Sequence, residues 1–169
     1  PVLSIITNIG LDHTQFLGKT HQKIALEKAG IIKNGVPIII GEKDIKTESI
    51  FKEVSRKSNA PLYFAKKTTK NFTSDLKGFY QAKNIKTVIT ALNQLPDFNL
   101  NNSVIKKGLS RVVENTGLKG RWQVLQNSPK VILDVGHNKE ALRLIAKQIN
   151  EISYNKLYLS LIHISEPTR

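Results

Sequence analysis

Several residues in this chain have types and spacing that could do chemistry. Asp12 and His13 follow the apolar run VLSIIT after a short polar and glycine-containing step, and Lys28 comes fifteen positions after His13. An acid and an imidazole just beyond the carboxyl end of a buried strand lie where open α/β sheets bind ligands. Imidazole is a common metal ligand, although a loop histidine can equally be hydrogen-bonded locally. Lys28 shares a helical face with Ile24 and has Ala25 beside it. A buried amine tends towards its neutral form, which can attack an electrophile or combine with carbon dioxide to give an anionic, metal-binding carbamate. The other reading is that its long stem carries the charge out to solvent.

Further along, Asn84 falls near the start of an apolar-periodic stretch, where free amide donors and a polar side chain can meet a ligand. It could also cap that helix or face water. Arg121 can grip phosphate as a bidentate donor or lie in a surface ion pair. Asp134 ends the apolar run Val131 to Leu133. From there it can accept ribose hydroxyls or cap the next helix. His137 follows it by three positions.

The elements that must position these groups alternate between strand and helix. Thr20 as N-cap and Gly30 just past the end bound a helix over His21 to Ala29. Val36 to Ile40 is a short continuous apolar run, as expected of a strand buried on both faces, and Gly41 ends it. Ile45 to Ser58 carries Ile50, Phe51 and Val54 at helical spacing, and Pro61 to Ala65 reads as a strand. Residues 66 to 77 predict a loop or a weak hairpin. A helix follows with Ile85, Val88, Ile89, Leu92 and Leu95 on one stripe, stopped by Pro96. Asn102 to Val113 predicts another helix with Ile105, Leu109 and Val112 inward, and residues 114 to 119 a linker holding Gly117. Gly120-Arg121-Trp122 opens a new element. The strand Val131 to Leu133 then feeds a helix with Leu142, Ile145, Ile149 and Ile152 on one face, and Tyr158 is expected in a further strand. Such alternation marks βαβ construction and an α/β fold.

Composition narrows the function classes. The 169 residues suit one domain or pieces of two, and a 40% hydrophobic fraction supports a real core. There is no cysteine, hence no disulfide framework and no thiolate metal site. No apolar run approaches a membrane span, and no signal-peptide pattern opens the chain. The chain begins inside a strand, so upstream sequence is expected. The net charge of +13 is mostly lysine scattered over the whole length. Nucleic-acid binding asks for a clustered basic footprint, and solvated surface lysine is the better reading.

The stretch TNIGLDH, then Leu17-Gly18 with Thr20, then Ile24 to Lys33 with EKAGIIK, resembles the signature of folylpolyglutamate synthase and its bifunctional form with dihydrofolate synthase. These are members of the Mur ligase superfamily. Gly78, Gln81 and Asn84 match a second element, Gly-x-His-Gln-x-x-Asn-Ala, with Tyr80 and Ile85 in place of its histidine and alanine. Gly120-Arg121 and LDVGHN match a third, in which Val135-Gly136 replaces Gly-Ala and Lys139 replaces proline.

The resemblance implies the carboxyl-terminal half of a Mur-ligase central ATPase domain over residues 1–117, a parallel sheet with flanking helices. Residues 118–158 would begin the smaller Rossmann-like carboxyl-terminal domain. The last residues, LSLIHISEPTR at 159–169, leave the family pattern and resemble the translation of a sequencing-library transposase adapter, so a non-native tail is expected there. No phosphate-binding G-x-x-x-x-G-K-[ST] is present, nor is the upstream glutamate that completes the family's metal site.

The family reaction is ATP-dependent joining of L-glutamate to dihydropteroate or a folate through an acyl phosphate. By resemblance, His13 and Lys28 hold magnesium, Lys28 as its N6-carboxylated form. Asn84, Arg121 and Asp134 contact ATP, and Lys28 and His137 are the catalytic candidates. The implied partners are these small molecules, with no nucleic acid and no membrane. The intact protein is expected to be a cytoplasmic monomer, and the fragment inactive alone. The alternatives are another Mur-superfamily amide ligase of peptidoglycan precursor synthesis, or a basic nucleic-acid-binding domain.

Overall fold

A computed structural model of the chain describes residues 1–12, 14–66, 71–95, 98 and 100–161. Its centre is a parallel three-stranded sheet, β1 (Ser4–Ile6), β2 (Ile38–Ile40) and β3 (Leu62–Phe64), in the order β1-β2-β3. The short helix α1 (Thr14–Leu17) and the longer α2 (His21–Ala29) connect β1 to β2, and α3 (Glu48–Lys57) connects β2 to β3. Parallel neighbours need such crossovers, because a tight turn can only reverse the chain.

Successive side chains of β2 point to opposite faces of the sheet. Ile38 and Ile40 join Ile6, Ala25, Ala29, Ile32, Phe51 and Ala60 in one core. Ile39, fully buried on the other face, lies where α4 (Gln81–Leu92) packs against β2. This is why Val36 to Ile40 reads as an uninterrupted apolar run.

The expected bounds of α2 hold. The Thr20 hydroxyl accepts the Lys23 amide at 3.2 Å, and Gly30 closes the helix with ordinary right-handed torsions. Replacing Thr20 with alanine is expected to cost about 1 kcal/mol, read as a lower urea midpoint, with serine close to the native value.

Three expectations are corrected. On α4 the apolar stripe is only half-buried and Val88 is exposed, whereas Thr87 and Ala91 are buried. The helix crosses the sheet over Gly41, where a Cβ would meet Thr87 Oγ1 at 2.6 Å, so small side chains take the contact. The single helix expected over Asn102 to Val113 is two, α5 (Asn102–Leu109) and α6 (Val112–Thr116), and the second runs into the expected linker. Asp75, from the loop before α4, enters the junction. Its amide donates to Leu109 O at 3.3 Å and its carboxylate accepts the Val113 amide at 2.9 Å.

The third correction concerns the last part of the chain. Two antiparallel strands, β4 (Gln123–Asn127) and β5 (Lys130–Leu133), form a hairpin before α7 (Lys139–Ile149). Tyr158, expected in a strand, makes no ladder pairing and is 80% exposed, with the Lys156 ammonium 4.9 Å from its ring centre. Pro96, residues 67–70 of the expected loop and residues 162–169 of the expected tail lie outside the described residues. Among the described residues no helix is long and apolar enough to cross a membrane.

Candidate functional site

A cleft of about 840 Å³ opens where the carboxyl ends of β1 and β2 face the start of α4 and the β5–α7 loop. Asn84, Arg121, Asp134 and His137 all line it. Four of the residues singled out in the sequence therefore converge on one space, although 53 positions separate Asn84 from His137.

Each is placed by its local fold. Asn84, in the first turn of α4, is exposed, and its amide donates to Gln81 Oε1 at 2.9 Å. Arg121 stands in a tight turn made by Gly120 at φ +69° and Trp122 at φ +50°. Gly120 has no alternative there, because a Cβ would meet Val135 Cγ1 at 2.5 Å and the left-handed torsion already favours glycine. The turn buries Trp122 and leaves Arg121 at the cleft, one guanidinium nitrogen donating back to Gly120 O at 3.2 Å.

Asp134 does not cap α7. Asn138 does, accepting the Ala141 amide at 2.8 Å. Asp134 instead gathers three donors: the Gly136 amide at 2.8 Å on Oδ1, and on Oδ2 the Trp122 amide at 2.8 Å and the Tyr80 hydroxyl at 3.0 Å. Burial, followed by the hydrogen bond to this carboxylate and its charge, pushes the Tyr80 phenol well above its ordinary pKa.

His137 Nδ1 is 3.0 Å from Val135 O, so it carries the proton, a carbonyl being only an acceptor. Nε2 lies 3.7 Å from Asp12 Oδ2, which also accepts the Asn138 side-chain amide at 3.0 Å. Asp12 thus joins the β1 loop to the β5–α7 loop.

Lys28 does not line the cleft. It is half-buried, and its ammonium donates to Asn8 O at 3.0 Å, while Asn8 itself is part of the cleft wall. His13 lies outside the described residues. Among the described residues no group of three His, Cys, Asp or Glu is placed to hold a metal.

Comparison with known proteins gives this cleft a context. No family model matches the chain. It is 35% identical over 159 residues to a dihydrofolate synthase/folylpolyglutamate synthase of Buchnera aphidicola, covering 89% of this chain and 38% of that protein. The structure of E. coli FolC in complex with DHPP and ADP superimposes with a TM-score of 0.74 at 26% identity, over 91% of this chain and 39% of FolC. Over about nine-tenths of its length the chain is similar to the folylpolyglutamate synthase/dihydrofolate synthase family.

The bifunctional folylpolyglutamate synthase/dihydrofolate synthase of Yersinia pestis, complexed with AMPPNP and Mn ion, matches with a TM-score of 0.68 at 27% identity. That match covers 88% of this chain and 38% of the Yersinia protein. The chain spans about 40% of the length of the curated relatives it matches. The expected fold class holds: the parallel sheet and its flanking helices are those of the Mur ligase type.

Sequence reasoning within this family missed four residues that build the site. Tyr80 was legible only as a departure from the family's histidine. Asn138 had a signal, a cap residue directly before Lys139-Glu140-Ala141 and an apolar face. Glu42, bonded to the Lys83 ammonium at 2.7 Å across the cleft wall, follows the end of β2 and could have been found by the strand-end rule. Gln148 had none. It sits on the apolar face of α7, buried, with Oε1 accepting the Phe79 amide at 2.8 Å and Nε2 donating to Lys77 O at 2.9 Å.

Proposed function

We propose that the intact protein is an ATP-dependent ligase that joins L-glutamate to dihydropteroate or a folate, and that this chain supplies part of its nucleotide cleft. The observation that carries the reading is the convergence of Asn84, Arg121 and Asp134 on one cleft. The residues fit a nucleotide by type: an amide for a polar edge, a guanidinium for phosphate and a carboxylate for ribose hydroxyls. With three donors already on Asp134, a carboxylate still has an acceptor position free, on the oxygen that serves Gly136.

In this reading ATP phosphorylates the substrate carboxylate and the amino group of glutamate displaces phosphate from the acyl phosphate. ADP leaves. Arg121 draws the phosphates towards the cleft and Asp134 with Asn84 orients the nucleoside. His137 holds Nδ1 at Val135 O and turns Nε2 towards Asp12, at the cleft where the reacting phosphate would lie. Positioning and charge stabilisation supply most of the catalysis in phosphoryl transfer.

Magnesium neutralises the triphosphate when it is bound, and His13 with an N6-carboxylated Lys28 would hold it. The ammonium at Asn8 O is the unmodified form, a donor and not a ligand. The same reading sets the domain boundary at residues 117 and 118, where Gly117 ends α6 at φ +67°, and makes the intact protein a cytoplasmic monomer acting on small molecules.

The test is a glutamate-ligation assay on the intact protein with ATP, magnesium and either dihydropteroate or a reduced folate, product followed by mass. ATP-dependent glutamate addition is expected with at least one acceptor, and Lys28 is expected to carry the extra mass of a carboxyl group. Absence of product with both acceptors would overturn the reading. Residues 1 to 158 alone are expected to show no turnover.

A further inference from the structure

We infer that the Tyr80 hydroxyl is a tie across the cleft, a positioning group that sets the separation between the start of α4 and the β5–α7 loop by holding Asp134 from the opposite wall. The two residues are 54 positions apart, and the hydroxyl to Oδ2 distance is 3.0 Å. The aim of the carboxylate does not depend on Tyr80, because the amides of Trp122 and Gly136 already engage both oxygens. What the hydroxyl adds is a link to the wall that carries Asn84.

The segment holding Tyr80 is itself anchored. Gln148 on α7 grips Lys77 O and the Phe79 amide immediately before it. The Tyr80 ring lies over Gly78, where a Cβ would meet ring carbons at 2.6 Å, so only glycine lets the ring settle on the chain at that point. The raised phenol pKa keeps the group protonated and therefore a donor. The family pattern has histidine at this position. An imidazole nitrogen sits closer to its own backbone than a phenol oxygen does, so the reach of the hydroxyl goes with the tyrosine of this sequence.

The single tryptophan of the chain reports on this contact. Trp122 is 6% exposed and its amide shares Oδ2 with the Tyr80 hydroxyl. Tyr80→Phe removes the donor and keeps the ring. In the 169-residue chain the substitution is expected to raise acrylamide quenching of Trp122 and shift its emission to the red, with the far-ultraviolet dichroism unchanged.

ADP titrated calorimetrically against the intact protein is expected to bind about tenfold more weakly to the same variant, the size of one charge-assisted hydrogen bond. Unchanged quenching overturns the tie, and so does tighter ADP binding, which would make Tyr80 a plug. Should the phenylalanine variant lose its dichroism, Tyr80→His is measured instead. It is expected to move quenching in the same direction, and native quenching in that variant overturns the tie. The ADP arm rests on the nucleotide reading. If the intact native protein does not bind ADP, that reading fails while the quenching result still decides the tie.

Discussion

Replacing Phe51 with alanine is expected to lower the unfolding free energy by about 4 kcal/mol, the usual cost of emptying an aromatic site in a packed core. Phe51 is completely buried on α3, in the same core as Ile6, Ala25, Ile38 and Ile40. Its neighbours there include small alanines on α2 and strand isoleucines held in register by the sheet. Strand backbones cannot shift to refill the space without breaking ladder bonds, so collapse around the cavity is limited. Net stabilities run to only about 5–15 kcal/mol, and a loss of this size removes a large part. Phe51→Leu keeps most of the volume and is expected to cost less than half as much. Urea unfolding followed by far-ultraviolet dichroism checks both, and an alanine variant within about 1 kcal/mol of native would show that the core relaxes freely.

The second large effect is expected from Asp134→Ala, at about 3 kcal/mol, because three donors lose their acceptor together. The Trp122 amide is the critical one. Trp122 is buried at φ +50°, a torsion that costs a residue with a side chain of order 1 kcal/mol or more, and the bond to Asp134 helps hold it. Asparagine is not a conservative substitute here. Both Asp134 oxygens accept backbone amides, so an amide NH₂ must face a second donor whichever way it is turned. Asp134→Asn is therefore expected to lose nearly as much as alanine. A melting temperature lower by roughly 6 to 12 °C is the expected reading for a chain of this size. A native-like melt for the asparagine variant would mean that one of the two amide bonds contributes little.

Much of the site was legible because it is built from chain-end rules. Asp12 follows β1 at the end where parallel sheets place ligands, Asp134 and His137 follow β5 of the antiparallel hairpin, and both strands are visible as short apolar runs. Arg121 and Asn84 could be named but not aimed. Arg121 reaches the cleft only because two left-handed residues flank it, and a positive φ at tryptophan has no sequence signal. Lys28 illustrates the opposite limit. The apolar face beside it was correctly read, with Ile24 and Ala25 fully buried. Which way the amine turned depended on a carbonyl twenty positions earlier, Asn8 O.

Two of the corrections and the anchoring of the segment before α4 have one cause in common. The break between α5 and α6 comes from Asp75, the unexpected burial on α4 from the closeness of Gly41, and the grip on Lys77 and Phe79 from Gln148. Each is a contact between segments far apart in the chain.

The amino-acid order by itself determined the alternation of strand and helix, the cap at Thr20, the buried run of β2 and the family resemblance, because all of these rest on spacing within a few residues or on strings of matching residues. Tertiary structure alone decided that Tyr80 meets Asp134, that Asp12 joins two loops and that Lys28 turns to Asn8. A hydrogen bond is short and directional, so whether it forms depends on backbone placement to within about an ångström, and only the packed sheet and helices set positions that finely.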